Sequence, residues 1–249
     1  MNAFPAADVE GSVDHLFRHQ AGQMVAALAR VFGLVNLSLA EDVVQEAFVT
    51  ALKIWPFQGV PDHPRAWLLR VARNKALDVL RRQESWKDKA LELGRSLAAM
   101  EESAPAASVP FAGEVGDDRL RLIFACCHPA IPRDAQVALT LKTACGFSAS
   151  EIARAFLARP SAVAQRLVRA KRQLREARVN LSIPDPEELP PRRDAVLEAL
   201  YLMFNEGYGA LEGEELVRRD LCEEAFRIAR LLSAHPTAGA PEVDAVAAL

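Results

Sequence analysis

Between Arg159 and Arg178 the chain carries seven Arg or Lys residues and one acid, Glu176. The cations are interleaved with apolar residues at helical spacing. Val163, Leu167, Ala170 and Leu174 fall at i, i+4, i+7 and i+11, which makes one buried stripe. Gln165, Arg166, Arg169, Lys171, Arg172 and Arg175 are left for the other faces. Guanidinium and amide groups spaced this way along a helix neutralise phosphates and pair with base edges, Arg with guanine O6 and N7 and Gln with adenine. A shorter helix precedes this one. Ser148 or Ser150 can cap it, Ser148 and Glu151 have the spacing of a capping box, Ile152, Ala153 and Phe156 give an apolar side, and Leu157-Ala158-Arg159 is the turn. Pro160 fits the first turn of the second helix, where a missing N–H costs nothing. A short helix, a tight turn and a basic second helix describe a helix-turn-helix that enters a major groove. A solvated basic face on an ordinary helical hairpin would share the charge and the spacing.

A second basic block follows Pro64 in PRAWLLRVARNKALDVLRRQ. Leu68, Val71, Ala72, Ala76, Val79 and Leu80 face inward there, and Arg65, Arg70, Arg73, Asn74, Lys75, Arg81 and Arg82 mostly face out. Phe57 and Trp67 lie beside these cations, a combination that suits single-stranded or distorted nucleic acid, although Trp67 also reads as core. The helix before it, LAEDVVQEAFVTALKIW, buries Val43, Val44, Ala47, Phe48, Ala51 and Leu52. Its outer side keeps Glu41, Asp42, Gln45, Glu46 and Thr50, with Ser38 as cap, Glu41 three residues on, and Pro56 as the stop.

Other chemistries find little support. Cys126-Cys127-His128 with Cys145 lacks the spacing of a zinc knuckle, so these cysteines read as small buried residues and no metal or other cofactor is expected. The acids join no nucleophile, and neither G-x-x-x-x-G-K nor G-x-G-x-x-G occurs, so the chain is not expected to be an enzyme. The N-terminus MNAFPAADVEG has neither a basic nor an apolar leader segment, and no run approaches the ~18 apolar residues of a membrane span. A cytoplasmic protein with reduced thiols is expected, without membrane contact.

The elements that hold these residues are helices. Of 249 residues 51% are hydrophobic, Ala, Leu and Arg abound, and alternating β-branched runs are nearly absent. The net charge of −3 is unevenly spread. Residues 182–224 hold twelve acids against four Arg, whereas 61–89 and 159–178 are basic. A first amphipathic helix is expected over 12–35, with Gly33 as a plausible stop. The tract SAPAASVPFAGEVG reads as a flexible linker. A compact unit begins at Asp117 with a helix to Cys127, a turn HPAIPRD, a helix through Thr143, and then the helix-turn-helix. Beyond the Pro-rich acidic connector IPDPEELPPRRD come a helix with Val196, Leu197, Leu200, Tyr201, Met203 and Phe204, and another with Leu221, Ala225, Ile228, Ala229 and Leu232. PEVDAVAAL starts a last helix whose apolar side has barely begun at Leu249, which suggests a longer natural chain.

In this order AEDVVQEAFVTALKIW, PRAWLLRVARNKALDVLRR and GFSASEIARAFLARPSAVAQRLVRAKRQL resemble a bacterial extracytoplasmic-function sigma factor of the sigma-70 superfamily. LYLMFNEGYGA looks like the C-terminal, tetratricopeptide-like extension of one subgroup. The resemblance implies an all-α fold of two helical sigma domains joined by a flexible linker, the second with the helix-turn-helix, plus a C-terminal helical extension. The implied parts are a sigma-2-like domain over 12–84, a linker over 85–116, a sigma-4-like domain over 117–179 and the extension over 180–249. The implied partners are core RNA polymerase, through its beta-prime and beta subunits, and promoter DNA. An anti-sigma factor or the chain's own C-terminal region would regulate. Asp42, Gln45 and Glu46 match the surface for the beta-prime coiled coil. The loop Phe57 to His63 and the helix after it match the part that melts and reads the minus-ten element, with Arg70, Arg73, Asn74, Lys75 and Arg81 as DNA-binding residues. Ser161, Ala162, Gln165, Arg166 and Arg169 match groove-facing positions for the minus-thirty-five element, and Arg172 and Arg175 hold phosphates. Ala162 stands where relatives often have Thr, so a methyl contact replaces a hydroxyl. Two other readings share parts of the pattern: an ordinary helix-turn-helix regulator of duplex DNA, and a helical protein-binding scaffold.

Overall fold

The computed structural model describes the backbone of residues 9–82, 111–208, 219–234 and 241–247. Every regular element among the described residues is helical. The chain divides into two compact units, residues 1–115 and 116–249.

In the first unit three helices pack on one another: α1 (Val9–Phe32), α2 (Leu37–Gln58) and α3 (Pro64–Arg82). α1 stops where Gly33 takes φ 79°, a left-handed value that glycine adopts without a Cβ penalty. A 3-10 turn, Leu34–Asn36, then leads into α2. Met24, Leu28 and Phe32 of α1 are buried with Val44, Phe48 and Trp55 of α2 and Leu68, Ala72, Ala76 and Leu80 of α3. Phe17 meets Phe48 edge to face at 5.1 Å, a favourable aromatic geometry.

Four expectations for α2 are corrected. Asn36, not Ser38, stands at its N-cap, and it makes no side-chain cap bond; its amide donates instead to Phe32 O of α1 at 2.8 Å. Glu41 is buried rather than outward. It shares the stripe of Leu37, Val44 and Phe48, spaced i, i+4, i+7 and i+11, so the packed face takes it in. Pro56 lies inside the helix, which runs on to Gln58 and closes with Gly59 N–H on Trp55 O at 2.9 Å. Proline forfeits one intrahelical bond, but in a last turn little remains to be disrupted. Leu52, expected in the core, is 41% exposed.

α4 (Phe111–Cys126) crosses the boundary, and the second unit continues with α5 (Arg133–Thr143), α6 (Ala149–Ala155), α7 (Pro160–Glu176), α8 (Leu189–Tyr208), α9 (Arg219–Ala234) and α10 (Pro241–Ala247). Residues 85–110 of the expected linker lie outside the described residues, whereas 111–116 already belong to α4. Helix propagates outward from the apolar run Leu122–Cys126 across Gly113 and Gly116, each of which opposes it by only about 1 kcal/mol. α5 is the hub: it packs on α6, α7 and α8, while α8 packs on α9 and α10. Pro184 and Leu189 of the acidic connector are buried, and Arg192 pairs with Glu188 at 2.6 Å.

Cys126, Cys127 and Cys145 are all buried. Cys127 Sγ shares a hydrogen bond with Thr140 Oγ1 at 3.5 Å, and burial pushes its thiol up to about 12. Burial also lowers the Arg119 guanidinium to about 10, although it sits against Cys145 and donates to Ala144 O. Among the described residues no cluster of His, Cys, Asp and Glu forms a metal cage, and no helix is long and apolar enough to cross a membrane.

Candidate nucleic-acid interface

The helix-turn-helix is built from local bonds. Ser148 Oγ accepts Glu151 N–H at 3.2 Å, and Glu151 Oε2 accepts Ser148 N–H at 2.7 Å, a complete capping box. α6 ends as Ala158 N–H reaches back to Ala153 O at 2.8 Å and Leu157 takes φ 50°. A leucine in this left-handed region carries a backbone cost of about 1–2 kcal/mol, so the turn is held by its surroundings. Pro160 then opens α7.

Val163, Leu167, Ala170 and Leu174 form the buried face of α7. The opposite face exposes Ser161, Gln165, Arg169, Arg172 and Arg175, with Ala162 exposed at its edge. Arg172 is tied to Glu176, one turn on, at 3.3 Å and in solvent. Such a pair contributes about 0.3–0.5 kcal/mol and yields readily to a phosphate. Arg166 is placed differently. It lies on the flank of the buried stripe, 25% exposed, with Nε 3.2 Å from Asp134 Oδ2 of α5 and its guanidinium 5.6 Å from the Phe156 ring centroid. Val168, absent from the candidates drawn from sequence, is 69% exposed beside Gln165, Arg169 and Arg172. Its signal was available: it falls outside the Val163–Leu174 stripe, where an apolar side chain has nothing to pack on. An exposed valine in a groove-facing row suits the methyl group of thymine.

In the first unit, Arg70, Asn74 and Arg81 share one exposed face of α3 at i, i+4 and i+11. Arg73 and Lys75 sit on either side of that face and are partly covered. Lys75 Nζ lies 2.9 Å from Glu46 Oε2 of α2, so one DNA-binding candidate is paired with one polymerase-binding candidate. The pair is open to solvent and therefore weakly held. At the end of α2, Phe57 is 88% exposed, while Trp67 packs against buried Trp55 with centroids 5.4 Å apart. The outer face of α2 carries exposed Asp42, Gln45 and Glu46 and continues into Val49 and Leu52, 48% and 41% exposed. An acidic and apolar strip of this kind suits a basic partner helix with apolar contacts at its centre.

Three family models match the chain: sigma-70 region 2 over residues 16–85, sigma-70 region 4 over 121–174, and a family of unknown function (DUF6596) over 192–249. The first match takes in α2 and α3, and the second the helix-turn-helix. An uncharacterized protein of Rhizobium meliloti (strain 1021) is 42% identical over 211 residues, which are 84% of this chain and 49% of the relative. The chain thus spans about half the length of the curated relative it matches. No solved structure matches it significantly.

Proposed function

We propose that this chain, which carries sigma-70 regions 2 and 4 and resembles an extracytoplasmic-function sigma factor with a C-terminal extension, binds core RNA polymerase and directs it to particular promoters. The observation that supports this best is the pairing of two different surfaces in the matched order: an acidic–apolar strip on α2, and a helix-turn-helix whose second helix is buried on one side and basic on the other. In this reading residues 12–84 form the sigma-2-like domain, 117–179, entered through the first turns of α4, the sigma-4-like domain and 180–249 an extension, with the linker expected over 85–116 shortened to 85–110. Asp42, Gln45 and Glu46, with Val49 and Leu52, meet the beta-prime coiled coil. Arg70, Arg73, Asn74, Lys75 and Arg81 hold the minus-ten strand near exposed Phe57. On α7, Ser161, Ala162, Gln165, Val168 and Arg169 face the minus-thirty-five groove, Arg172 and Arg175 hold phosphates, and Arg166 lies at the flank. The polymerase performs the chemistry, and the protein works in the cytoplasm.

Run-off transcription with purified core polymerase over a promoter library tests this. Promoter-specific transcripts that require both core and this chain are expected. Arg169→Ala should lose about tenfold or more in promoter use, the cost of a base-contacting arginine. Duplex binding without core-dependent transcripts would return an ordinary helix-turn-helix regulator instead.

A further inference from the structure

Arg166 belongs by type to the basic row of α7, yet it is turned away from the centre of that row. Its Nε lies 3.2 Å from Asp134 Oδ2, and its guanidinium lies over Phe156, the last residue before the helix-turn-helix turn. Both partners sit in other helices of the unit or at their ends: Asp134 in the first turn of α5, Phe156 at the C-cap of α6. The aspartate is itself well placed. Its Oδ1 accepts Ala135 N–H at 2.9 Å, which fixes the carboxylate at the start of α5. The preceding residue anchors the same turn from the opposite direction: Arg133 Nε lies 2.9 Å from Glu198 Oε2, and Arg133 donates to Pro191 O at 3.1 Å, both on α8. Two neighbouring residues therefore bind the start of α5, one to the C-terminal helices and one to the groove-reading helix.

We propose that Asp134 is a specificity-determining positioning residue, which holds Arg166 along Phe156 and so keeps that guanidinium out of the major groove. Base reading then falls to Gln165, Val168 and Arg169, whose side chains are free of that clamp. An arginine released into the groove would add a preference for guanine at one position, since its planar fork matches O6 and N7. It would also add about one phosphate-neutralising charge near the DNA. The Asp134 carboxylate is 54% exposed, so the clamp biases Arg166 by a modest factor rather than locking it. This inference rests on the reading of α7 as a DNA-contacting helix.

The test compares full-length variants by selection from a randomised minus-thirty-five duplex library and by titration of the selected duplex at several salt concentrations. Asp134→Asn keeps the acceptor for Ala135 N–H but loses the charge. It should acquire a guanine preference at one position, bind about two- to fivefold more tightly at low salt and steepen the salt dependence by about one charge. Asp134→Glu should keep the original preference. Asp134→Asn combined with Arg166→Ala should lose the new preference. Arg166→Ala alone should alter preference at no position, an arm that decides the matter even where Asp134→Asn fails to fold. A gain that persists without Arg166, or a changed preference in Arg166→Ala alone, overturns the proposal. Gln165→Ala and Arg169→Ala separate the two levels: binding unaffected by both sinks the reading of α7 itself, whereas loss in both with no effect of Asp134→Asn sinks only the clamp.

Discussion

A side chain's reach is decided by its neighbours, and this limits what residue types alone disclose. Arg166 and Arg169 are the same residue three positions apart, yet one is pinned to Asp134 and Phe156 and the other is exposed. Charge counting along α7 treats them alike, because the partner that separates them lies in another helix. The cysteines were easier to read, since burial follows from hydrophobic neighbours along the chain. Their chemistry gives two predictions. With iodoacetamide at pH 8, Cys222, which is half-buried, should be alkylated first, while Cys126, Cys127 and Cys145 should label only as the protein unfolds, as read by peptide mass spectrometry. For Cys127 the pH dependence has a definite sign. Burial raises its pKa from 9.0 to about 12, so the folded protein keeps a proton that the unfolded chain releases. The resulting stability is complete below pH 9 and is lost as pH rises towards 12. Urea melts should therefore show the advantage of wild type over Cys127→Ala shrinking above pH 9, by up to about 1.4 kcal/mol per pH unit. Taking the difference between the two proteins removes the opposing contribution of Arg119, whose pKa burial lowers. A constant difference from pH 8 to pH 11 would contradict this.

At the level of the helix, two stretches with the same local signature behave differently. Ser148 and Glu151 form a reciprocal capping box, whereas Ser38 and Glu41, at the same spacing, form none. The difference lies in what surrounds the glutamate. Glu151 stands at the open end of a short helix and can turn back on its own cap. Glu41 falls on the apolar stripe of α2 and is covered by the packing of that face, while the chain enters the helix two residues earlier through Asn36. The stripe was visible in the sequence, but its consequence for Glu41 depended on how wide a face α1 and α3 would cover. The helix-turn-helix, by contrast, was legible almost residue by residue, because its cap, its turn and its Val163–Leu174 stripe all arise within one short segment. The two signatures predict different costs. Ser148→Ala should destabilise the second unit by about 1 kcal/mol in urea melts. Ser38→Ala, which removes no cap bond, should stay within about 0.5 kcal/mol of wild type. Equal losses in both would mean that Ser38 caps α2 in solution after all.

Across the whole chain, the acidic, Pro-rich stretch before α8 has the composition of a hinge, and nothing local in it announces the packing that follows. Yet residues 116–249 form one compact unit, α5 packs on α8 as well as on α6 and α7, and Arg133 reaches Glu198 and Pro191 O across that connector. A helix that serves as hub for both the DNA-reading pair and the C-terminal helices cannot lose one set of neighbours without exposing apolar surface on that side. Chain shortened to end at Glu188 removes α8, α9 and α10 together. It should melt at lower temperature and less cooperatively than the full chain, bind a hydrophobic dye such as ANS, and hold promoter duplex more weakly although every candidate DNA contact is retained. Arg133→Ala and Glu198→Gln are gentler probes of the same junction. Glu198→Gln removes one half of an exposed ion pair and Arg133→Ala removes the other half with the exposed bond to Pro191 O, so each should cost no more than about 1 kcal/mol and leave the fold intact. The scale of the truncation effect carries the argument. Were the C-terminal helices an independent domain joined by a flexible connector, the shortened chain would retain its melting temperature and its duplex affinity, and the two point variants would be silent. A large loss on truncation with small losses in the point variants would instead assign the junction's stability to apolar burial between α5 and α8 rather than to the ion pair that marks it.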